Sequence, residues 1–296
     1  MRFEDYQRRA MDTNRLGSQD PLTVALYGLA GETGSIHTLY KKRLRDGDRF
    51  TGFQAKVKEE LGDILWYLTA IASLEGLSLQ EIAVQNIEKT TSRWLPTGED
   101  DWVDFDEHFP PNEQLPRKFT AQFVASVEDG VSKVEVLIDG ERLGAKLNDN
   151  SYVPDGYRFH DIFHMTCVAL LGWSPVVRAL LKRKRKSDKE TDDVEDGGRA
   201  IVIDEALVAL VFAYAIRHTY LEEIKVLDWQ LLDLCHELTS SFEVGKRSLY
   251  EWEQTILKTF EIWREVQTHG GGWVRFDRDT RSVEFSVTEP QITSDR

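Results

Sequence analysis

The sequence predicts a mainly α-helical protein, with a helical bundle at the amino terminus and a C-terminal helical unit that carries a small antiparallel β sheet. Apolar residues recur at helical spacing up to residue 94. An acidic, proline-rich segment without periodicity follows at 95–118, and apolar and polar residues alternate from residue 119. We therefore expect two domains, residues 1–112 and residues 113–296.

Four helices are expected in the amino-terminal region. The first covers residues 3–16, and the next two follow apolar stripes at 22–40 and 57–71. Because the third helix is apolar almost all round after Asp63, it is expected to be a central one. The fourth begins near Ser78, an N-cap with Glu81 three residues later, as in a capping box.

The β segments are expected at residues 119–147 and 273–287, with hairpin turns at Asp129-Gly130 and Asp139-Gly140. An isolated hairpin is marginally stable, so the two segments should share one sheet. Ser174-Pro175 is typical of a helix start. The helices between the β segments are expected at 157–171, 176–186, 201–218, 228–242 and 248–267, with an acidic loop at 187–199.

Composition limits the function. The formal charge of −14 argues against a general nucleic-acid binder, although it does not exclude a small phosphorylated substrate. The first residues lack the apolar core of a signal peptide, and the longest apolar run, 206–216, is too short to cross a bilayer. Cys167 and Cys235 are expected to be buried, reduced thiols. These features favour a soluble, cytoplasmic protein.

Three acids carry the functional signal. Glu32 falls within the apolar series of one predicted helix, and Glu60 and Asp63 project from one flank of the next. A single buried acid usually pairs with Arg or Lys. Three acids on neighbouring helices, with Asn86 inside the following stripe, favour a shared site for a hard cation. Such a cation, Mg²⁺, indicates phosphate chemistry.

Several motifs then match a known family. They are Tyr6-Gln7, the segment 28–34 (Gly-Leu-Ala-Gly-Glu-Thr-Gly), the segment 59–67 (Glu-Glu-Leu-Gly-Asp-Ile-Leu-Trp-Tyr), and the segment 86–89 with Arg93-Trp94. With them, the first hundred residues resemble the MazG-like, all-α nucleoside triphosphate pyrophosphohydrolases. Residues 119–296 resemble a C-terminal extension found on some MazG-like proteins.

The resemblance implies hydrolysis of a nucleoside triphosphate to the monophosphate and pyrophosphate. It implies Mg²⁺ held by Glu32, Glu60 and Asp63, with Glu59 or Glu32 orienting the attacking water. The family's first Glu-x-x-Glu pair is incomplete, because Ser35 occupies its second position. That departure argues against a full two-metal site and is compatible with a single Mg²⁺ site, so the number of ions stays open. The family also implies a homodimer or higher homo-oligomer.

Substrate-binding residues are expected near these acids. Lys89 and Arg93, on the helix of Asn86, would balance phosphate charge, as would Lys41 and Lys42 beyond Glu32. A Lys on an amphipathic helix is more often a solvated surface residue. Asn86 is the stronger candidate, because a polar residue within an apolar stripe requires a partner.

Other interpretations stay open. Ser35 motivates a catalytically weakened nucleotide-sensing or scaffold protein on the same fold. His160 and His164, four residues apart and completed by Glu205, would form a separate metal site, although packing in a core is the simpler interpretation.

Two further features are ambiguous. The basic run 182–186 is either a solvated helix end or a contact for a nucleotide or an acidic partner. Segment 58–68 resembles segment 203–213, with Glu60 aligned to Glu205. The second half is therefore either a diverged helical repeat of the first or a chance likeness between two apolar helices.

Overall fold

The computed structural model describes residues 1–17, 19–98 and 102–290. It divides into two compact units, Met1–Thr91 and Ser92–Arg296. The predicted domain boundary after residue 112 lies further along the chain and stays a prediction. Phe105 and Leu115, from the segment predicted as a break, are buried in the core of the second unit. Within the described ranges, no helix has both the length and the apolar character needed to cross a membrane.

The first unit is helical, as predicted. Its helices are α1 (Phe3–Asp12), α2 (Pro21–Asp46), α3 (Phe53–Leu74) and α4 (Leu79–Trp94), the last of which crosses into the second unit. The largest packing contact joins α2 to α3, and α1 packs on α3. The predicted N-cap is confirmed, because the Ser78 hydroxyl accepts a hydrogen bond from the Glu81 amide.

The second unit contains one antiparallel sheet in the order β3-β2-β1-β4-β5. Both predicted β segments contribute to it, so the expectation of a shared sheet is confirmed. Both predicted turns are also confirmed, with positive φ at Asp129-Gly130 and Asp139-Gly140, as tight hairpin turns require. The strands are β1 (Lys118–Glu128), β2 (Val131–Ile138), β3 (Glu141–Leu147), β4 (Gly271–Asp277) and β5 (Ser282–Ser286).

The helices of the second unit follow the predicted order. They are α5 (Asp161–Leu171), α6 (Pro175–Leu180), α7 (Lys189–Val194), α8 (Gly198–Arg217), α9 (Trp229–Thr239) and α10 (Leu249–His269). The sheet packs on α5 and α10. Two predictions were wrong. Helix α6 ends at Leu180 because Lys182 adopts a positive φ, and the predicted acidic loop contains α7, which Asp188 caps.

The two units differ in the number and size of the apolar side chains that they bury. The second unit encloses large aromatic side chains, among them Trp173, Trp252 and the stacked pair Phe119 and Phe276. In the first unit the buried apolar residues are small or few, and larger ones are exposed on α2, α3 and α4: Leu26, Leu61, Leu68, Val84 and Ile87. The expectation that α3 is a central helix is confirmed, because both α1 and α2 pack on it, although Leu61 and Leu68 stay exposed in one copy of the chain.

Candidate active site

Close packing of α2 against α3 positions the three predicted acids. A Cβ atom on Gly28 would lie only 2.2 Å from the Tyr67 ring, so a larger residue at this position would push the helices apart. Glu32 follows Gly28 by one helical turn, and Asp63 precedes Tyr67 by one turn. The contact between Gly28 and Tyr67 therefore sets how closely the acids of the two helices approach.

The structure brings Glu32, Glu60 and Asp63 together. One carboxylate oxygen from each residue lies within 4.8 Å of the other two. We call these residues the acid cluster. Among the described residues, no Lys or Arg forms an ion pair with any of the three. Three negative groups thus share a small volume without a protein cation to neutralise them.

The electrostatics of the acid cluster reflect this crowding. The pKa of Glu32 is raised, first by desolvation, then by a side-chain hydrogen bond with Glu60 and by the charges of Asp63 and Glu60. A bound proton therefore relieves part of the repulsion when no cation is present. The pKa of Tyr6 on α1 is also raised, by burial and by the charge of Asp63. The phenol of Tyr6 consequently stays neutral beside the cluster.

The sequence-based expectation that these acids are buried was wrong. Glu32 and Glu60 are half-buried and Asp63 is exposed. A Cβ atom added to Gly31, Gly34 or Gly62 would meet nothing within 4 Å. The exposure of Asp63 therefore opens the acid cluster to solvent.

The first helix supports the site through Gln7, a role that sequence reasoning missed. The Gln7 amide nitrogen donates to the Ser73 hydroxyl and to the Leu77 carbonyl, and its oxygen accepts from the Leu79 amide. These bonds link α1 to the end of α3 and to the first turn of α4. The Trp66 indole also donates to the Thr13 hydroxyl at 3.0 Å. The presence of both residues of the Tyr6-Gln7 motif is thus explained: Tyr6 lies beside the acid cluster, and Gln7 links three helices.

The remaining predicted catalytic residue, Glu59, lies outside the acid cluster. Its carboxylate accepts from Lys56 one turn earlier on α3 at 2.8 Å, and its side chain is well exposed. Ser35, which stands in place of the family's second acid, lies three residues after Glu32 on α2 and is half-buried. Its predicted effect on the number of metal ions stays a prediction.

The two predicted phosphate-binding lysines of α2 do not reach the acid cluster within one copy of the unit. Lys41 lies nine residues after Glu32 in one continuous helix. That distance is about two and a half turns, so Lys41 projects from the opposite side of α2. Lys42 interacts electrostatically with Asp46 instead. Both lysines are exposed, as expected for solvated surface residues.

The candidates on α4 have separate environments. Asn86 is exposed, so the expectation that it occupies an apolar stripe and needs a partner was wrong. Only the first turn of α4 is well buried. Lys89 is exposed as well. Arg93 belongs to the second unit, where it donates to the Leu227 carbonyl and lies over the Trp94 and Trp229 rings. A substrate-binding role for these residues stays a prediction.

The basic run 182–186 has a structural role that neither interpretation foresaw. Arg185 is fully buried and pairs with Asp196 and Glu243 at 2.7 and 2.8 Å. Arg183 donates to backbone carbonyls of the segment before β1. Two residues of the run therefore stabilise contacts within the second unit, although Lys182 and Lys186 are exposed.

The predicted histidine pair does pack in the second unit. His164 is fully buried, and burial would lower its pKa, but Asp204 and Glu205 outweigh burial and raise that pKa to about 10. His160 lies against the Tyr157 ring, and its Nδ1 contacts the Tyr157 carbonyl. His164 therefore packs in a core as predicted, and a metal site at the pair stays a prediction. Cys167 and Cys235 are buried free thiols, also as predicted.

Comparison with known proteins matches both parts of the chain. A family model described as the MazG C-terminal domain matches residues 100–289, and one described as the MazG nucleotide pyrophosphohydrolase domain matches residues 24–95. The chain is 32% identical over 101 residues to the Gene 37 protein of Mycobacterium phage L5, covering 31% of this chain and 89% of the phage protein. No solved structure matches. The resemblance that the sequence motifs indicated is confirmed.

Proposed function

We propose that this chain, which belongs to the family of the MazG C-terminal domain, hydrolyses a nucleoside triphosphate to the monophosphate and pyrophosphate with Mg²⁺. Its MazG nucleotide pyrophosphohydrolase domain supports nucleotide pyrophosphohydrolase activity in general. The metal, the substrate and the residue roles are our inference. The observation that carries the proposal is the convergence of Glu32, Glu60 and Asp63 within 4.8 Å.

The chemistry of the acid cluster fits Mg²⁺. All three donors are carboxylate oxygens, the hard ligands that Mg²⁺ takes, and the cluster contains no imidazole or thiol. Mg²⁺ commonly uses one or two carboxylates together with waters and substrate phosphates, so an open cluster suits it better than an enclosed one. A divalent cation would also take the place of the proton that the raised pKa of Glu32 favours.

The bound cation would polarise the phosphoryl group and neutralise charge that develops on the leaving pyrophosphate. Glu32 is the better placed of the two candidates for orienting water, because it already lies in the acid cluster. Glu59 would first have to leave Lys56. The Ser35 hydroxyl offers a neutral oxygen where the family has an acid, so we assign one ion to the site. Asn86 and Lys89 remain our candidates for contacting substrate.

We further propose that the enzyme is a homodimer or a higher homo-oligomer in the cytoplasm. Large apolar side chains of the first unit, including Leu61 and Ile87, are 52% and 64% exposed. Exposed apolar residues distributed over three helices are typical of a surface that another copy covers. Sedimentation analysis of Leu61→Glu and Ile87→Glu should show smaller particles than the unmodified chain does. An unmodified chain that sediments as a monomer contradicts this part of the proposal.

The activity test is a screen of common and modified nucleoside triphosphates with the full chain, reading pyrophosphate. We expect release from at least one triphosphate, dependent on Mg²⁺ and lost on chelation. Production of orthophosphate instead of pyrophosphate would contradict the reaction type. Absence of any turnover across the panel would contradict the proposed function.

The alternative function is nucleotide sensing without turnover, which Ser35 favours because the acidic set is one carboxylate short. Calorimetry separates the two. Nucleotide binding that persists in Glu60→Gln, together with no hydrolysis by the unmodified chain, would support the sensor. Restoring the acid with Ser35→Glu should then raise hydrolysis if the missing ligand is the cause.

A further inference from the structure

A second group of metal-ligating side chains lies in the second unit, where α5 begins. His160, Asp161 and His164 each place one donor atom within 4.8 Å of the other two. The two histidines are one helical turn apart and face the same side, and their ring centroids are 5.9 Å apart. Glu205 on α8 lies beside this group, with its carboxylate 3.6 Å from His164 Nε2. We call these four residues the histidine cluster.

A buried carboxylate orients the ring of His164. Asp204 is fully buried and accepts from His164 Nδ1 at 2.8 Å through one oxygen. Its other oxygen accepts from the Ser174 hydroxyl and the Val176 amide. Asp204 therefore accepts three hydrogen bonds that fix its position, and it keeps a proton on Nδ1 of His164. This arrangement, an imidazole whose second nitrogen is held by a carboxylate, is the usual support for a metal-bound histidine.

The nitrogen of His164 that remains has no hydrogen-bond partner. Nε2 is buried, and the Glu205 carboxylate, 3.6 Å away, lies within ion-pair distance but beyond hydrogen-bond distance. Leaving a buried polar atom unpaired destabilises the folded state, so such an atom requires an explanation. Since Nε2 is directed into the histidine cluster, a ligand between these residues would supply the missing partner.

His160 repeats the same pattern. Its Nδ1 lies 2.9 Å from the Tyr157 carbonyl, to which it donates, and its ring stacks on Tyr157. Nε2 is then the lone-pair nitrogen, and it lies 3.5 Å from the Asp161 carboxylate. Both histidines thus present Nε2 to the cluster while Nδ1 is held by a protein oxygen.

The charge balance also favours a cation. In the described part of the chain, the ion pairs of Asp161, Asp204 and Glu205 are all with the two histidines, and none is with Lys or Arg. Asp161 is buried, whereas the Glu205 side chain is 48% exposed. The site would therefore combine buried ligands with one ligand that is accessible to solvent.

We propose that His160, Asp161, His164 and Glu205 bind one divalent first-row transition-metal ion, with Zn²⁺ as the best fit to this donor set. Two imidazole nitrogens select such ions over Mg²⁺, which prefers an all-oxygen shell. Two nitrogens and two carboxylates also supply the four ligands of a tetrahedral Zn²⁺ site. Asp204 is a positioning residue that fixes the His164 ring. This site lies in a different unit from the acid cluster and is independent of the proposed hydrolysis.

The test measures Zn²⁺ bound to the full chain after chelator treatment, with excess Mg²⁺ present to occupy the acid cluster. We expect one tightly bound equivalent by calorimetry and elemental analysis. Glu205→Gln and His160→Gln should weaken Zn²⁺ binding about 10-fold or more, and Asp204→Asn should weaken it by about 10–100-fold. These variants are preferred to His164→Ala, whose buried cavity would itself destabilise the fold.

Two control variants show whether the bound Zn²⁺ lies in the histidine cluster. His269→Gln, which changes a histidine outside the cluster, and Glu60→Gln, which changes the acid cluster, should both retain it. Co²⁺ in place of Zn²⁺ should give visible absorption bands that His160→Gln loses. No tight equivalent in the unmodified chain would overturn the proposal. So would an equivalent that His160→Gln and Glu205→Gln both retain at full affinity.

Discussion

Carboxylates are compensated differently in two regions of the molecule. These regions are the acid cluster of α2 and α3 and the buried arginines of the second unit. Glu32, Glu60 and Asp63 lie together in an open setting without a cationic partner. Arg178, in contrast, is 1% exposed and pairs with the equally buried Asp106 at 2.7 Å. In one region carboxylates repel each other, and in the other guanidinium groups neutralise them.

The pKa directions express this difference. Burial would raise the pKa of Asp106, but the guanidinium groups of Arg278 and Arg178 outweigh it and lower that pKa. No such group compensates Glu32, whose pKa is raised. A neutralised buried charge indicates a structural role, whereas an uncompensated group of carboxylates indicates a ligand site. In the histidine cluster the carboxylates pair only with the two histidines within the described part of the chain, so a metal ion would displace imidazole protons rather than a Lys or Arg.

The largest expected effect tests the structural side of this comparison. Arg178→Met removes one of the two guanidinium partners of Asp106, the other being Arg278, and the donor to the Glu113 carbonyl. Removing one partner of a buried ion pair costs about 3–5 kcal/mol, and because Arg278 still pairs with Asp106, the free energy of unfolding in urea should fall by the lower end of that range, about 3 kcal/mol. The double variant Arg178→Met with Asp106→Leu should recover part of the loss. A single variant as stable as the unmodified chain would show that the ion pair is not structural.

The next effect tests the functional side. Glu60→Gln removes one charged donor from the acid cluster, and the rate of pyrophosphate release should fall about 100-fold or more, because metal-ion stabilisation of the transition state supplies several kcal/mol. Its stability should not fall, since the change also removes a repulsive charge. Glu75→Gln, the same change at the exposed end of α3, should retain activity. Full activity in Glu60→Gln would remove Glu60 from the site.

Local periodicity explains what could be predicted from the sequence. The helices of the first unit and both hairpins follow from apolar spacing and turn residues that lie close together in the chain. The acid cluster was predictable because Glu60 and Asp63 are three residues apart on one helix. Its exposure was not, because the burial of Asp63 depends on whether another element covers that side of α3.

Long-range pairing explains what could not be predicted. Arg185 lies in a basic run that is typical of a solvated helix end, yet its partners Asp196 and Glu243 are 11 and 58 residues away. The support of His164 by Asp204 spans 40 residues. Spacing along the chain contains no signal for contacts of this kind, whereas the i, i+4 pair of His160 and His164 was visible.

A smaller effect on stability is expected from Glu195, a carboxyl group of the second unit whose negative charge is only partly neutralised. Burial and the charge of Glu243 raise the pKa of Glu195 to about 7, despite a hydrogen bond from the Glu243 amide and the opposing charge of Arg185. The folded state therefore holds a proton that the unfolded state releases near its ordinary pKa of 4.5. This group's contribution to stability must fall as the pH rises from about 4.5 to 7.

Glu195→Gln removes that titration. The free energy of unfolding should then fall less steeply between pH 5 and pH 8 than in the unmodified chain, by about 1 kcal/mol once screening of this half-exposed group is allowed for. Urea unfolding across this pH range measures the difference. Glu190→Gln, an exposed neighbour on α7, should follow the unmodified curve. Parallel curves for Glu195→Gln and the unmodified chain would contradict the assignment.

The smallest effect is expected for an exposed pair. Lys56→Ala breaks the ion pair with Glu59, in which both side chains are more than half exposed. Because surface ion pairs contribute little, the urea midpoint should not change measurably. The rate of pyrophosphate release separates the two candidates for orienting water. A changed pH profile in Lys56→Ala would favour Glu59, and an unchanged profile would favour Glu32.

The most direct test of the claim that uncompensated carboxylates mark cation sites is anomalous X-ray scattering from crystals of the full chain soaked with Mn²⁺, as a substitute for Mg²⁺, and Zn²⁺. We predict a manganese peak among Glu32, Glu60 and Asp63, and a zinc peak about 2 Å from Nε2 of both His160 and His164. Ordered density at both clusters with neither metal bound would contradict the account.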